Sequence, residues 1–475
     1  MLIDGEHLMA NIKFFGAAQE VTGSCHMLES PSFGRILLDC GMHQGGSSVS
    51  RIQREHFMFA PHTIDAVVLS HAHLDHSGML PKLVREGFNG PIFCADATAE
   101  LLEVMLLDSV NIYLGDLERT NRRLARKGKA LLEPEYNEED VKQTLSLCQS
   151  KNYQQTFSLS DNAKVTFHDA GHILGSAIVE LCFSEKGKEK TLVFSGDLGN
   201  KNAVLMNDPT VLTTADIVLM EGTYGDRNHR PIEDTVEQLR QILRETEKRG
   251  GNIMIPAFAV GRTQELLFYL GQLHREGELV NWQVILDSPM AIEVTKVYDR
   301  WFESLDSDEI SEATPSAKSI IKDFIPRLFL SVTPENSMAI NNIKKGALVI
   351  AGSGMCTGGR IRHHFKQRIW DSRNTVIFCG FQAKGTLGRL LVDGRETIKV
   401  FNDTYAVKAK IETLGGFSAH AGQSQLIDWL SNFTTSPRVV LVHGDPEALD
   451  ALSQKLWDDK NIVTDIPFLG HCIAF

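Results

Sequence analysis

The stretch Ser70-His71-Ala72-His73-Leu74-Asp75-His76-Ser77-Gly78 constrains this chain more than any other. Three imidazoles and a carboxylate sit at fixed offsets directly after the apolar run Ala66-Val67-Val68-Leu69. A β-branched run of that kind, preceded by Pro61 and Asp65, predicts a buried strand. The polar cluster then falls at the strand's C-terminal end, where open α/β folds hold their ligands. Imidazole and carboxylate are the donor set for zinc or a similar divalent ion. In extended backbone His71 and His73 share a face, with Asp75 and His76 on the following turn, so each pair can serve its own ion. The competing reading is a solvated loop of histidines with an aspartate cap.

Length favours two domains, since 475 residues exceed one ordinary core. A 43% hydrophobic, 23% charged composition is that of a soluble globular protein, and no apolar run approaches the ~20 residues of a membrane helix. Met1 to Glu6 lacks the basic-then-apolar layout of a signal peptide. The eight cysteines are scattered without a CxxC pair, so reduced core residues and a cytoplasmic location are expected. A net charge of −12 argues against a broad basic nucleic-acid-coating face. It leaves room for a metal pair and a few cationic side chains to make a local positive site.

Further chemistry recurs at strand ends. Asp39 closes the run Arg35-Ile36-Leu37-Leu38 and reads either as a turn residue or as a carboxylate orienting a metal-binding histidine. His172 and Asp197 each lie in a glycine-rich turn after a strand, offering a third imidazole and a bridging carboxylate. Glu221 follows Asp216 to Met220, while His420 and His443 lie at strand–turn junctions near the C-terminus. Helix is expected from Thr98 to about Ser150, carrying a basic face from Arg119 to Lys129 that reads chiefly as solvated surface. From Pro231 onward, strands near 252–255, 284–286, 348–350 and 376–378 alternate with helices and predict a mostly parallel sheet. Trp301 to Phe324 reads as helix plus surface loop. Two glycine-rich turns, 351–360 and 380–389, have the strand–glycine–helix layout that offers backbone N–H groups to phosphate, or that simply makes a tight turn. Ser353, Gly354, Lys384 and Arg389 are their candidate substrate contacts.

Taken together, Asp39, His71-x-His73-x-Asp75-His76, His172, Asp197, Glu221, His420 and His443 resemble the metallo-β-lactamase superfamily, and within it the β-CASP nucleases. That branch includes RNase J and the endonuclease subunit of the cleavage and polyadenylation specificity factor. The strings Ile255 to Arg262 and Asp287-Ser288-Pro289-Met290-Ala291 are also β-CASP-like. The resemblance implies an α/β fold: an αββα sandwich over 1–215, completed by 396–475, with an inserted β-CASP α/β domain over 216–395 and the active site between the two. Histidine at 443, where DNA-repair members carry an aliphatic residue, implies a ribonuclease.

The family's chemistry implies a two-metal mechanism. His71, His73 and His172 would hold one ion, Asp75, His76 and His443 the other, with Asp197 bridging and Asp39 behind the ligands. The ions would be zinc, with manganese the alternative. A metal-activated hydroxide would attack phosphorus, leaving a 5′-phosphate and a 3′-hydroxyl. His420 would act as general acid, oriented by Glu221, and Asp75 counts with the catalytic groups as well as the ligands. The implied partner is single-stranded RNA, with no membrane and with a homodimer open. Endonuclease and 5′-exonuclease modes use the same residues. A small-substrate hydrolase gives no role to His420 or Glu221, and a non-catalytic RNA scaffold should have lost ligands.

Overall fold

The structure, a computed structural model, describes residues 9–43, 47–305, 318–380, 382–383 and 385–475. It divides into two compact units: Met1–Ala203, Asn207–Asn228 and His420–Phe475 form one, Val204–Met206 and His229–Ala419 the other.

The first unit is built on two seven-stranded sheets. One runs Cys472–Ala474, Asn11–Phe14, His26–Ser30, Gly34–Leu38, Ala66–Val68, Ile92–Ala95 and Cys148–Lys151. The other runs Thr464–Asp465, Arg438–Val442, Ile217–Glu221, Lys188–Phe194, Ala177–Glu185, Ala163–Asp169 and Phe157–Ser160. Their facing side chains interleave into one core, with Ile12, Phe14, Leu28, Leu38 and Val68 from the first sheet and Phe167, Val179, Phe194, Leu219 and Val440 from the second. The outer face of the second sheet is covered by helices Gln423–Leu430 and Pro446–Lys460 through Leu426, Leu430, Leu449 and Leu452. Helix Asp96–Ala125 buries Leu101, Leu102, Met105, Leu106, Val110, Tyr113 and Leu117, the three- and four-residue spacing of a stripe facing the protein. The result is the expected αββα sandwich.

The second unit carries a six-stranded sheet in the order Phe329–Leu330, Gln283–Leu286, Ala347–Ala351, Ile253–Pro256, Thr375–Cys379 and Lys410–Leu414. Every pairing in it is parallel. Its central strands are buried on both faces, which is why they read as continuous Ile/Val/Leu runs.

Several boundaries differ from the expected ones. Ile217–Glu221 pairs in parallel with both Lys188–Phe194 and Arg438–Val442, which ties the chain through Asn228 to the first unit. Lys410–Leu414 pairs with Thr375–Cys379, which ties residues up to Ala419 to the second. The division therefore falls after 228 and 419 rather than after 215 and 395. The expected helix from Thr98 to Ser150 is two helices, Asp96–Ala125 and Glu138–Leu147, followed by the edge strand Cys148–Lys151. Around Trp301 to Phe324 the described residues form a 3-10 turn, Phe302–Ser304, and a π-helical turn, Ile320–Phe324. Residues 306–317 of that segment lie outside the described ones. Among the described residues no helix is long and apolar enough to cross a membrane.

Candidate metal centre

The strand Ala66–Val68 delivers Ser70 and His71 to the sandwich's edge, and the one-turn helix Leu74–Ser77 presents Asp75 and His76. Turns after Ala163–Asp169 and Lys188–Phe194 supply His172 and Asp197, and the turn after Arg438–Val442 supplies His443. His443 itself takes a left-handed backbone, φ 51°, as does Asp39, φ 62°. Such φ values are uncommon outside glycine, though Asp and His adopt them more readily than most residues, and they cluster at functional sites.

Asp197 lies at the centre. Its Oδ2 is 3.5 Å from His71 Nε2, 3.3 Å from His76 Nε2 and 3.6 Å from His172 Nε2. His73 Nδ1 is 3.1 Å from His71 Nε2 and 3.2 Å from His172 Nε2, and His76 Nε2 is 3.2 Å from His443 Nε2. Ligands at about 2.1 Å around a tetrahedral ion are separated by about 3.4 Å. The spacing here is of that size.

The hydrogen bonds behind the ligands fit the same ion. Asp39 Oδ2, an acceptor only, takes the Nδ1–H of His76 at 2.7 Å. Ser70 donates its hydroxyl to Asp39 Oδ2 at 3.0 Å, so at 3.0 Å it accepts from His71 Nδ1. Thr223 donates to the His443 carbonyl at 3.2 Å and accepts from His443 Nδ1 at 3.2 Å. Each ring, when neutral, thereby turns an Nε2 lone pair inward, and in that state the lone pairs of His76 and His443 face one another, 3.2 Å apart. A cation between them removes that repulsion. Asp197 Oδ1 is buried without a hydrogen-bond partner, a cost that an ion would offset. The donor groups fall into three clusters: His71, His73, His172 and Asp197; Asp75, His76 and His443; and Asp197, Glu221 and His443. The residues fit divalent metal.

Burial pushes His71 well below its usual range and His73 down to about 4. Burial acts the same way on His76, but the Asp197 and Asp39 carboxylates outweigh it and raise that ring well above normal. Burial would likewise raise Asp197, yet the surrounding His443, His76, His420 and His71 hold it well below the carboxylate range.

Beside this cluster, Glu221 is fully buried on its strand. Its Oε1 accepts the Leu198 N–H at 2.6 Å, and both oxygens lie 3.2 Å from His420 Nδ1. Burial lowers His420, but Glu221 and Asp197 prevail and lift it to about 9. Its ring centroid is 4.5 Å from that of His172.

Family models match in three consecutive blocks: a metallo-β-lactamase superfamily domain over residues 27–216, a β-CASP domain over 263–391 and a Zn-dependent metallo-hydrolase RNA specificity domain over 404–467. A protein of Thermus thermophilus named as a ribonuclease is 41% identical over 446 residues, covering 93% of this chain and 95% of its own. The chain belongs to the β-CASP branch of the metallo-β-lactamase superfamily. A second β-CASP relative, named transcription termination factor FttA in Methanosarcina mazei, is 30% identical over 465 residues, 94% of this chain and 69% of its own. A solved structure from Enterococcus faecalis, titled a protein of unknown function, shares the fold with TM-score 0.52 at 14% identity, covering 98% of this chain and 100% of its own. As a member of this branch the chain is a metallo-hydrolase that uses divalent metal.

All the predicted ligands of this β-CASP protein, with Asp39, Glu221 and His420, fall within the first unit. The predicted substrate contacts fall in the second. Ser353 Oγ donates to the Gly358 carbonyl at 3.4 Å and accepts the Gly358 N–H at 3.2 Å, closing its own loop. Gly354 lies under the Phe258 ring, where a Cβ would come within 2.6 Å of it. Arg389 pairs with Asp393 one helical turn on, at 2.9 Å. Lys384 lies outside the described residues. Arg360, which opens helix Ile361–Arg368, donates to Asp287 Oδ1 at 2.8 Å and the Ser331 carbonyl at 2.9 Å. Sequence reasoning missed Ser24, Ser70 and Thr223. Ser70, directly before the first histidine, was the one with a positional signal.

Proposed function

We propose that this chain hydrolyses single-stranded RNA at a pair of divalent ions, leaving a 5′-phosphate and a 3′-hydroxyl, in cytoplasmic RNA processing or decay. The convergence of imidazoles on Asp197, with the Glu221–His420 pair beside it, carries the reading. The ribonuclease name of the Thermus thermophilus relative and the RNA-specificity family match support it. All eight cysteines are free, in keeping with a reducing compartment.

His71, His73 and His172 would hold one ion and Asp75, His76 and His443 a second, with Asp197 available to both. Zinc suits these nitrogen and oxygen donors, with manganese the alternative. Such ions would supply Lewis-acid charge and a water acidified toward neutral pH. Asp39, Ser70 and Thr223 hold three ligand rings in the tautomer that presents Nε2. Glu221 fixes His420 through Nδ1, so the proton for the departing 3′-oxygen comes from Nε2.

The test is cleavage of 5′- or 3′-labelled single-stranded RNA by protein of measured metal content, beside a His76→Ala variant and a matching DNA strand. Internal fragments lost in the variant establish an endonuclease, and mononucleotides released from a 5′-phosphate end establish an exonuclease. Intact RNA with both ions bound would sink the reading in favour of a small-substrate hydrolase.

A further inference from the structure

We propose that the ligand-bearing edge of the first unit carries an aromatic platform, built from Phe468, His471, Phe15, Phe57 and Phe59, on which bases of single-stranded RNA stack. This rests on the ribonuclease reading and adds how that site grips its substrate.

Strand register sets the platform beside the metal ligands. Gly34–Leu38 runs parallel to Ala66–Val68, so Asp39 and His71 leave the sheet at the same edge. His26–Ser30 is antiparallel to Gly34–Leu38, pairing His26 with Leu38, and Asn11–Phe14 pairs Phe14 with His26. Phe15 therefore emerges at that edge as well. Cys472–Ala474 is antiparallel to Asn11–Phe14 and begins there, which brings residues 467–471 alongside. Backbone bonds close the connection. Phe14 N–H donates to the His471 carbonyl at 3.1 Å and Gly470 N–H to the Phe14 carbonyl at 2.7 Å. Gln19 Nε2 donates to the Pro467 carbonyl at 3.5 Å. In the same loop the Ala17 carbonyl accepts the N–H of His443 at 2.8 Å, so the loop bearing Phe15 also braces a proposed ligand.

The rings are already ordered for stacking. Phe468 and His471 lie parallel, 4.8 Å between centroids and 1° between planes. Phe59 stands 5.1 Å from Phe15 and 5.2 Å from Phe57. Phe468 nevertheless remains 60% exposed and the intervening Met58 62%. Apolar surface of this kind, held in place and left open, marks an interaction site.

Its place at the edge where the ligands leave the sheet favours bases of the substrate as its occupant, and charge makes stacking the more effective grip. The chain carries a net charge of −12, and within its basic stretch Arg119 is engaged by Asp116 and Arg122 by Glu118, both on the same helix. Phosphate attraction alone is therefore a poor source of affinity. Stacking on an aromatic face does not depend on net charge and changes affinity by roughly 5- to 150-fold per base.

The experiment compares Phe468→Ala, Phe468→Leu and Phe468→Trp with the wild-type chain. Each is assayed on labelled single-stranded RNA and on bis(p-nitrophenyl) phosphate, a phosphodiester that carries no nucleobase, with sedimentation run alongside. The expected result is a KM for RNA raised about tenfold in F468A and F468L, an unchanged kcat, restoration in F468W, and unaltered hydrolysis of the small diester. Wild-type KM in F468A, or full function in F468L, would overturn the platform while leaving RNA cleavage standing. So would a wild-type dimer that F468A dissociates with no change in KM for RNA, since the patch would then bind a second copy. A wild-type chain that hydrolyses only the small diester overturns the ribonuclease reading and the platform together.

Discussion

Asp39 and His76 share a hydrogen bond of 2.7 Å with both side chains removed from solvent. Because the carboxylate also accepts from the Ser24 and Ser70 hydroxyls and from the Ser70 N–H, it is locked in place. It can only accept, so His76 must donate from Nδ1 and present Nε2 to the cluster.

Asp39→Asn is the informative change here. Asparagine tolerates the left-handed backbone at this position, φ 62°, so the fold should survive. An amide can turn its own N–H toward His76 and favour the wrong tautomer. Metal affinity should fall by about 10- to 100-fold. Competition with a chromophoric chelator reads this directly, and activity should return in part with excess metal. Wild-type affinity in the variant would show that Asp39 serves the fold and not the ligand.

The general-acid role of His420 predicts a loss of about 10²- to 10⁴-fold in kcat for His420→Ala, with metal content unchanged. The sign of its pH dependence is also set. The acid must be protonated, so the rate should fall as pH rises through its pKa, and this alkaline limb should vanish in the variant. Glu221 raises that pKa through its contact with Nδ1, so Glu221→Gln should move the limb toward lower pH. A limb that stays in place in both variants assigns the proton to another group.

How much of this was legible in the chain depends on how selective each residue's chemistry is. Histidines and aspartates at successive strand ends are rare enough in combination to identify a metal centre before any contact is known. Hydroxyls are not: Ser24 and Thr223 matter only through a partner far away in sequence, Asp39 in one case and His443 in the other. The limits of the two compact units depart from the expected domain limits for a related reason. Ile217–Glu221 and Lys410–Leu414 read as ordinary strands, and which sheet each joins is decided by long-range hydrogen bonding. The edge strand Cys148–Lys151 was missed because its half-exposed Gln and Ser carry no buried-strand pattern. The surface pairing of Arg389 with Asp393 one helical turn on depends on side-chain placement that the glycine-rich turn alone does not specify.

His43 makes a separate prediction about stability. Its ring bridges Glu20 and Glu55, at 3.1 Å each, and these hydrogen bonds outweigh burial to raise it from 6.5 to about 10. A folded-state pKa above the unfolded value stabilises fully below pH 6.5 and loses that contribution as pH climbs through about 10. The side chain is 39% exposed, so solvent screening limits the effect to a few degrees in Tm. His43→Gln should therefore melt below the wild-type chain at pH 6.5, and the gap should close toward pH 10. A gap constant across that range would place the stabilisation in packing rather than charge.

Gly199 offers the sharpest steric test of how the two ligand turns are joined. It follows Asp197 closely in sequence and crosses the turn that carries His172. A Cβ on Gly199 would stand 1.9 Å from the Gly171 carbonyl oxygen and 2.8 Å from the His172 amide nitrogen. Neither neighbour is the tip of a flexible side chain, and the Gly199 N–H is already committed to the Ala170 carbonyl at 2.8 Å. Even alanine must therefore push the two turns apart, at a cost of about 1–3 kcal/mol or more. The displacement separates Asp197 from His172, whose donor atoms are 3.6 Å apart, so Gly199→Ala should lose bound metal as well as stability. Metal analysis and a melting curve on the same sample decide the matter. A variant that melts early but keeps its full metal content would mean that the turns move as one body and that the close contact serves only the fold.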